Sequence, residues 1–312
     1  MIRIGVVNID VSHPRAFSEY LKKENRARYV AVYNDGFRGD DEVEGFMKKY
    51  KLEKRCQSIE ELAEMVDVGF VQSCNWDNHI KEAMPFIEKG KPVFIDKPIV
   101  GSVADCKKLE ELAEKGAVIL GSSSVRYAEE IQNFLALPPE ERGEILSIYG
   151  TAGVDEFNYP IHIVEAIHEL AQSEPVSTNF VGRAERKGLV SETFTVRFAN
   201  GITGTYTTCH GQWHQFEVVI MTTKSTYYFQ IDCGKIYGAL LDRICDYMET
   251  DENRLAPVEK INQAIKIMLA GRLSRENGGG AFKIEDIPED DPGFDGDDFQ
   301  RGYAKAAAKI YL

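Results

Sequence analysis

Over roughly the first 122 residues, short apolar runs at 2–7, 29–33, 68–73, 92–95 and 117–121 alternate with amphipathic stretches. Runs of that length read as strands buried on both faces, and a repeating strand–helix–strand rhythm is satisfied by a parallel sheet with helices on each side. This constrains the first half of the chain to a doubly wound α/β domain. Its helices carry their own start and stop signals. Ser58-Ile-Glu-Glu61 and Ser102-Val-Ala-Asp105 place a hydroxyl before the free N–H groups and an acid three residues later, and Lys115-Gly116 supplies a stop. After His79, residues Ile80, Ala83, Met84 and Ile87 recur at helical spacing, which makes that stripe core.

From about residue 123 the pattern changes. Helices are expected over 127–137 and 160–171, with a strand at 145–150 between them. The stretch 176–232, rich in Thr, Val, Tyr and Phe, reads as mainly antiparallel sheet, and Asn200-Gly201 between two alternating runs marks a hairpin. Helices over 239–250 and 258–275 follow, the second with Ile261, Ala264, Ile265, Met268 and Leu269 on one face, before Gly278-Gly-Gly280 interrupts. The acidic, turn-rich segment 288–298 reads as a solvated linker to a short helix at about 299–310. At 312 residues, two cores are expected. The divisions fall at 1–122, 123–287 and 288–312.

A formal net charge of −13 with no basic cluster to offset it excludes nucleic acid as a partner. The apolar runs are too short to span a bilayer, and the N-terminus runs straight into a strand without a leader pattern, so the expectation is a cytoplasmic protein without membrane contact. Six cysteines lack any ligand spacing, which points to free thiols and no metal. Cys209, His210 and His214 cluster in sequence, but no further ligands are spaced to complete a site.

In open α/β sheets ligands bind beyond the carboxyl ends of the strands. Lys97, in Ile95-Asp96-Lys97-Pro98, sits just past one such end, and the following proline restricts its backbone. An ammonium fixed there can polarise a substrate oxygen; the alternative is a surface lysine. The first strand leads into Asn8-Ile9-Asp10-Val11-Ser12-His13-Pro14, where a dinucleotide's diphosphate would meet a helix N-terminus. In the G-x-G-x-x-G register the three glycine positions hold Asn8, Asp10 and His13, so the segment is either a modified phosphate loop or an ordinary strand–helix turn. A carboxylate at position 10 costs Coulomb energy beside a diphosphate unless it turns away or pairs with a cation. Asn34-Asp35 ends the second strand, where an acid accepts from adenosine ribose hydroxyls; this favours NAD over NADP. The polar run Ser73, Cys74, Asn75, Trp76 to His79 lies at the same sheet edge, with Asn75 and His79 as candidate contacts. In the second half, His162, Glu165 and Glu169 share a helical face, which would let a carboxylate orient an imidazole base or merely form a surface pair.

Gly90-Lys-Pro-Val-Phe-Ile-Asp-Lys-Pro98 resembles the G-K-H-V-x-x-E-K-P segment of the Gfo/Idh/MocA oxidoreductases, with Asp96 for the usual Glu. Asn158-Tyr-Pro-Ile-His-Ile-Val-Glu165 is similar to that family's D-x-G-x-H-x-x-D segment, with Asn158 for an aspartate. Ser122-Ser-Ser-Val-Arg-Tyr127 and Val196-Arg-Phe-Ala-Asn-Gly201 resemble the entry to its second domain and a hairpin of its sheet. The resemblance runs from Ile2 to about Ile287. It implies an N-terminal Rossmann domain binding NAD or NADP and a C-terminal α+β domain whose large, open, mainly antiparallel sheet forms dimers or tetramers. It also implies that Lys97 is the active-site lysine, that His162 is the catalytic histidine aided by Glu165, and that Asn158 orients substrate. Arg126, Tyr127 and Tyr159 are candidate substrate contacts.

The leading expectation is an NAD(P)-dependent oxidoreductase moving a hydride to or from a hydroxyl carbon of a sugar, inositol or similar polyol. Two alternatives stay open: a cofactor-free, sugar-like ligand-binding or regulatory protein on the same fold, and redox-neutral elimination or hydrolysis with transient NAD.

Overall fold

The structure is a computed structural model that describes residues 1–121 and 123–310, with backbone alone over 307–310. Ser122 lies outside the described residues. The first half runs β1 (Ile2–Val7), α1 (His13–Glu24), β2 (Ala27–Tyr33), α2 (Asp40–Tyr50), β3 (Lys54–Arg55), α3 (Ile59–Met65), β4 (Val68–Val71), α4 (His79–Glu88), β5 (Val93–Ile95), α5 (Val103–Glu114) and β6 (Ile119–Gly121). The six strands are parallel in the order β3-β2-β1-β4-β5-β6. The order reverses between β1 and β4, which opens a crevice at their carboxyl ends. β1 owes its central place to Ile4, Val6 and Val7, all buried, and to Gly5, where a Cβ would stand 2.9 Å from the Leu62 side chain.

A short 3-10 turn over Ser124–Tyr127 leads into α6 (Glu129–Ala136), α7 (Pro139–Arg142), β7 (Ile145–Val154), α8 (Pro160–Ala171), β8 (Pro175–Arg186), β9 (Leu189–Phe198), β10 (Thr203–His210), β11 (Glu217–Thr222), β12 (Thr226–Gln230), α9 (Ile236–Thr250), α10 (Val258–Glu276), β13 (Gly280–Lys283) and α11 (Gly296–Ile310). The second sheet has the order β12-β11-β7-β10-β9-β8-β13. It is antiparallel except where β7 lies parallel to β10. Asn200-Gly201 turns β9 into β10, with Gly201 at φ 88° as such a hairpin requires.

One face of this sheet is covered by α8 and α10, whose Ile161, Ile167, Ile265 and Leu269 are buried. The other face leaves Tyr149, Met221 and Tyr228 exposed. Helix α9 reaches back onto the first domain, where Arg26 pairs with Asp246 at 2.6 Å and Tyr20 donates to Asp242 at 2.8 Å.

The acidic segment before α11 is not a solvated linker. Phe294 is buried and stacks on Phe157 at 4.1 Å, and the Phe294 carbonyl accepts from Trp76 Nε1 at 2.7 Å. Arg272 pairs with Asp291. The acidic side chains suggested solvation, but a single aromatic anchor ties this strap across the junction of the two sheets.

Candidate active site

The loop after β1 leads into α1 with no glycine between Asn8 and His13. Asn8 occupies the left-handed region at φ 62°, which asparagine tolerates better than most residues. Its Oδ1 accepts from the N–H groups of Asp35 and Gly36, both at 2.9 Å, and its Nδ2 donates to Asp35 at 3.0 Å and Glu82 at 3.2 Å. Asp10 is fully buried, and its carboxylate accepts from the N–H of Phe37 at 3.2 Å and of Cys74 at 3.3 Å. A Cβ on Gly36 would stand 2.2 Å from that carboxylate, so glycine at 36 is what lets Asp10 turn in. Burial raises the Asp10 carboxyl to about 6, against the pull of the two N–H groups and Arg38. Arg38 also donates twice to the Asp10 carbonyl, at 3.1 and 3.0 Å. The acid that a diphosphate would find repellent is therefore engaged by the protein itself. Val11, Ser12 and His13 remain facing the crevice at the start of α1.

Several sequence candidates have other duties. Ile9 is core, and its N–H donates to Asn34 Oδ1 at 3.2 Å, while Asn34 Nδ2 donates to the Arg38 carbonyl, so both side chains build the loop. Ser12 makes no side-chain cap on α1. His13 opens α1, and its Nδ1 pairs with Asp96 at 2.7 Å. His79 is buried, with Nδ1 3.1 Å from the Ile99 carbonyl and Nε2 3.0 Å from the Ser73 carbonyl. Both ring nitrogens are thus spent on joining two loops.

Beside the loop lies a cavity of about 490 Å³ lined by Asp35, Gly36, Ser58, Ser73, Asn75 and Glu82, among others. The Ser73 hydroxyl is bonded to Glu82, whose carboxyl burial raises to about 8. Asn75 accepts from the Asp77 N–H at 3.0 Å and donates to Asp297 of α11 at 2.5 Å. Asp35 stands at the end of β2 in the position from which a carboxylate meets ribose hydroxyls.

A second cavity, of about 130 Å³, lies at the domain junction and is lined by Lys97, Asn158, Tyr159 and His162 together with Val11, Ser12, His13, Ser73, Cys74 and Asp96. Lys97 Nζ donates to the Asn158 carbonyl at 3.0 Å and to Asn158 Oδ1 at 3.1 Å, and lies 5.0 Å from the Tyr159 ring centroid. The Lys97–Pro98 peptide is cis. Burial lowers the Lys97 pKa, opposed by Asp96, Asp155 and Glu165. Asp96 accepts from the Lys97 N–H at 2.7 Å; burial acts to raise this carboxyl, but His13 and Lys97 outweigh it and hold it below the usual range.

His162 is held differently from the sequence expectation. Its Nδ1 lies 2.5 Å from Ser123 Oγ. Glu165 accepts from the Ser123 N–H at 3.0 Å and from Arg126 Nε at 2.9 Å. Helical spacing put the two side chains on one face, but the Ser123–Arg126 turn covers that face and takes the carboxylate. Burial, followed by the charges of Lys97 and His13, drives the His162 pKa well below its ordinary value, so the ring is neutral. In the tautomer that donates from Nδ1 to Ser123, Nε2 is left to accept a proton.

Arg126 and Tyr127 are not substrate contacts. Arg126 is 0% exposed and bridges Glu165 and Glu169, the latter at 2.8 Å. Tyr127 accepts from the Ala256 N–H at 2.8 Å beneath Arg243, away from the catalytic cavity. The S-S-S-x-R-Y run drew attention to its large side chains, whereas the residue that reaches the imidazole is Ser123. Sequence reading also missed Trp213, Phe216, Tyr237 and Tyr303, which complete the cavity walls from the loop after β10, from α9 and from α11. Cys209 and His210 end β10, and His210 Nε2 lies 3.0 Å from Thr208 Oγ1; among the described residues no three His, Cys, Asp or Glu form a metal-sized cluster.

A parallel six-stranded sheet with a crevice at its reversal point, a mostly antiparallel seven-stranded sheet and a lysine–asparagine–histidine cavity between them define an α/β fold of the Rossmann kind. Residues 2–124 match the family model described as the oxidoreductase family with NAD-binding Rossmann fold, Gfo/Idh/MocA. No curated protein matches the sequence. Among solved structures, a probable dehydrogenase from Thermotoga maritima superposes with a TM-score of 0.78 at 15% identity over 92% of this chain and 100% of that one. The scyllo-inositol dehydrogenase of Lactobacillus casei, solved with NAD(H) and scyllo-inositol, gives 0.78 at 13% identity over 91% and 99%. The myo-inositol 2-dehydrogenase of Lactobacillus plantarum gives 0.76 at 12% over 89% and 98%. At these identities the likeness is one of fold.

Proposed function

We propose that this protein is an NAD(P)-dependent dehydrogenase that oxidises or reduces a hydroxyl carbon of a sugar, inositol or similar polyol. The observation that carries the reading is the convergence of Lys97, Asn158 and a neutral His162 on one cavity that adjoins the crevice between β1 and β4. The crevice suits a dinucleotide: Asn8 reproduces the glycine conformation, Asp10 is turned to protein N–H groups, and Asp35 supplies the ribose acceptor, which favours NAD. The nicotinamide, when bound, would take or give the hydride.

The chain's own residues would do the rest. Lys97, with two of its three N–H groups on Asn158, directs the remaining donor at the reacting oxygen and stabilises charge developing there, a contribution worth several kcal/mol in a dry site. His162, neutral and steadied by Ser123, accepts the hydroxyl proton in the oxidation direction. Asn158 cannot titrate, so it holds Lys97 and substrate without relaying protons. Tyr159 provides an aromatic wall.

The same reading places the protein in the cytoplasm as a homodimer or homotetramer joined through the outward face of the second sheet, where Tyr149, Met221 and Tyr228 are exposed. The test is a calorimetric titration with NAD⁺, NADH, NADP⁺ and NADPH, followed by a screen of cyclic and linear polyols monitored by nicotinamide absorbance. Turnover of a polyol that disappears in Lys97→Ala supports the reading; failure to bind any of the four nucleotides refutes it.

A further inference from the structure

Helix α11 lies across the crevice that the dinucleotide would occupy. On one side Phe299 packs on Trp76 at 4.9 Å, Asn75 donates to Asp297, and the Gly296 N–H donates to Asp77 at 2.9 Å. On the other side Tyr303 meets Phe37, just beyond β2, at 6.1 Å. The helix therefore bridges the loops after β4 and β2. Gln300 and Tyr303, three residues apart and so on one helical face, line different cavities: Gln300 the one containing Asp35, Tyr303 the one containing Lys97. The diphosphate joins the two halves of a dinucleotide, so its place is between those cavities, under this face of α11.

Several donors in the loops around the crevice are engaged by the protein itself. Asn8 takes the N–H groups of Asp35 and Gly36, Asp10 takes those of Phe37 and Cys74, Asn34 takes that of Ile9, and Arg38 is spent on the Asp10 carbonyl and Glu42. These are the side chains that replaced or support the missing glycines. The N–H groups at the start of α1 face the crevice from one side, and the wall opposite them is α11.

We infer that α11 is a clasp that takes over part of the diphosphate recognition, with the Gln300 amide and the Tyr303 hydroxyl as its donors. This rests on the cofactor reading above and adds to it a binding element outside the Rossmann domain. Phe299 on Trp76 and Phe294 on Phe157 are the anchors that hold the clasp in register.

The test is calorimetric titration of the full chain and its Gln300→Ala, Tyr303→Phe and Phe299→Ala variants with NADH, ADP and adenosine, alongside thermal unfolding. Each of the first two variants is expected to weaken NADH and ADP by roughly tenfold, the cost of a hydrogen bond to a charged group, and to leave adenosine and the unfolding midpoint unchanged. Phe299→Ala, which frees the helix from Trp76, is expected to weaken NADH and to shift Trp76 fluorescence. Unchanged NADH affinity in Gln300→Ala and Tyr303→Phe overturns the clasp and leaves the dehydrogenase reading standing. Equal losses for adenosine and ADP also overturn it. A wild-type protein that binds neither NADH nor ADP overturns the cofactor reading and the clasp with it.

Discussion

Glu82 sits on the floor of the crevice, only 6% exposed, between the Ser73 hydroxyl and the Asn8 amide. Burial raises its carboxyl from 4.5 to about 8, and the neighbouring Asp35 and Asp10 push the same way. In the unfolded chain the proton leaves near 4.5; in the native protein it stays until about 8. The folded state thus gains from this group at low pH and loses that gain as pH rises through the window between the two values, at about 1.4 kcal/mol per pH unit. Between pH 6 and pH 8 the loss is about 2 kcal/mol, most of the window's slope with the last part flattened as the native group titrates. Glu82→Gln keeps the shape of the protonated acid, with an oxygen for Asn8 and an N–H for Ser73, and has nothing to titrate. Urea denaturation of wild type and variant at pH 6 and pH 8 is the assay. The stability of wild type relative to Glu82→Gln should fall by about 2 kcal/mol from the lower to the higher pH. Asp10, raised to about 6, titrates in both proteins and largely cancels. A wild-type-minus-variant difference that is the same at both pH values would show that Glu82 is ionised in the crevice and would refute the argument.

Lys97→Ala should reduce kcat by several orders of magnitude with a small change in unfolding midpoint, since it removes a buried cation along with its bonds; equal losses of fold and rate would disprove the catalytic role. Ser123→Ala should lower kcat about tenfold at nearly constant KM, because it removes the hydrogen bond that fixes the His162 ring. Glu165→Ala should cost about 2–3 kcal/mol in urea denaturation by removing one of the two carboxylates that pair the fully buried Arg126, with Glu169 remaining, whereas Tyr127→Phe should leave steady-state kinetics unchanged. The His162 pKa is driven down by burial, so oxidation rates should stay flat as pH falls through the usual imidazole value of about 6.5; an acid limb centred there would show that the ring is not held neutral.

Much of the architecture is legible from local pattern. The apolar runs that became β1, β2, β4, β5 and β6 are buried on both faces and so leave a continuous signal, and α8 runs over the expected 160–171 because Pro160 fixes its first turn. The Lys97 motif was readable for a related reason: a residue at a strand's end is placed by the strand. The partners of the site residues were not readable. His162 and Glu165 share a helical face in any reading of the sequence, but which of them meets which neighbour depended on the turn at 123–127 packing over α8. Asp10 read as an obstacle to a diphosphate, and only the approach of Gly36 and the N–H groups of Phe37 and Cys74, tens of residues away, turned it into a brace. The acidic stretch before α11 read as solvated because its charges outnumber its apolar residues, yet Phe294 alone finds an aromatic partner and anchors it.

By itself the sequence determined five of the six strands of the first sheet, the helices over 160–171 and 258–275, the parallel character of that sheet and the position of Lys97, since each follows from periodicity or from a residue's place within one element. Only the tertiary structure decided which hydroxyl steadies His162, which arginine and tyrosine are structural, and that α11 roofs the crevice. Those are contacts between elements far apart in the chain, set by the geometry of packing, and local pattern carries no record of them.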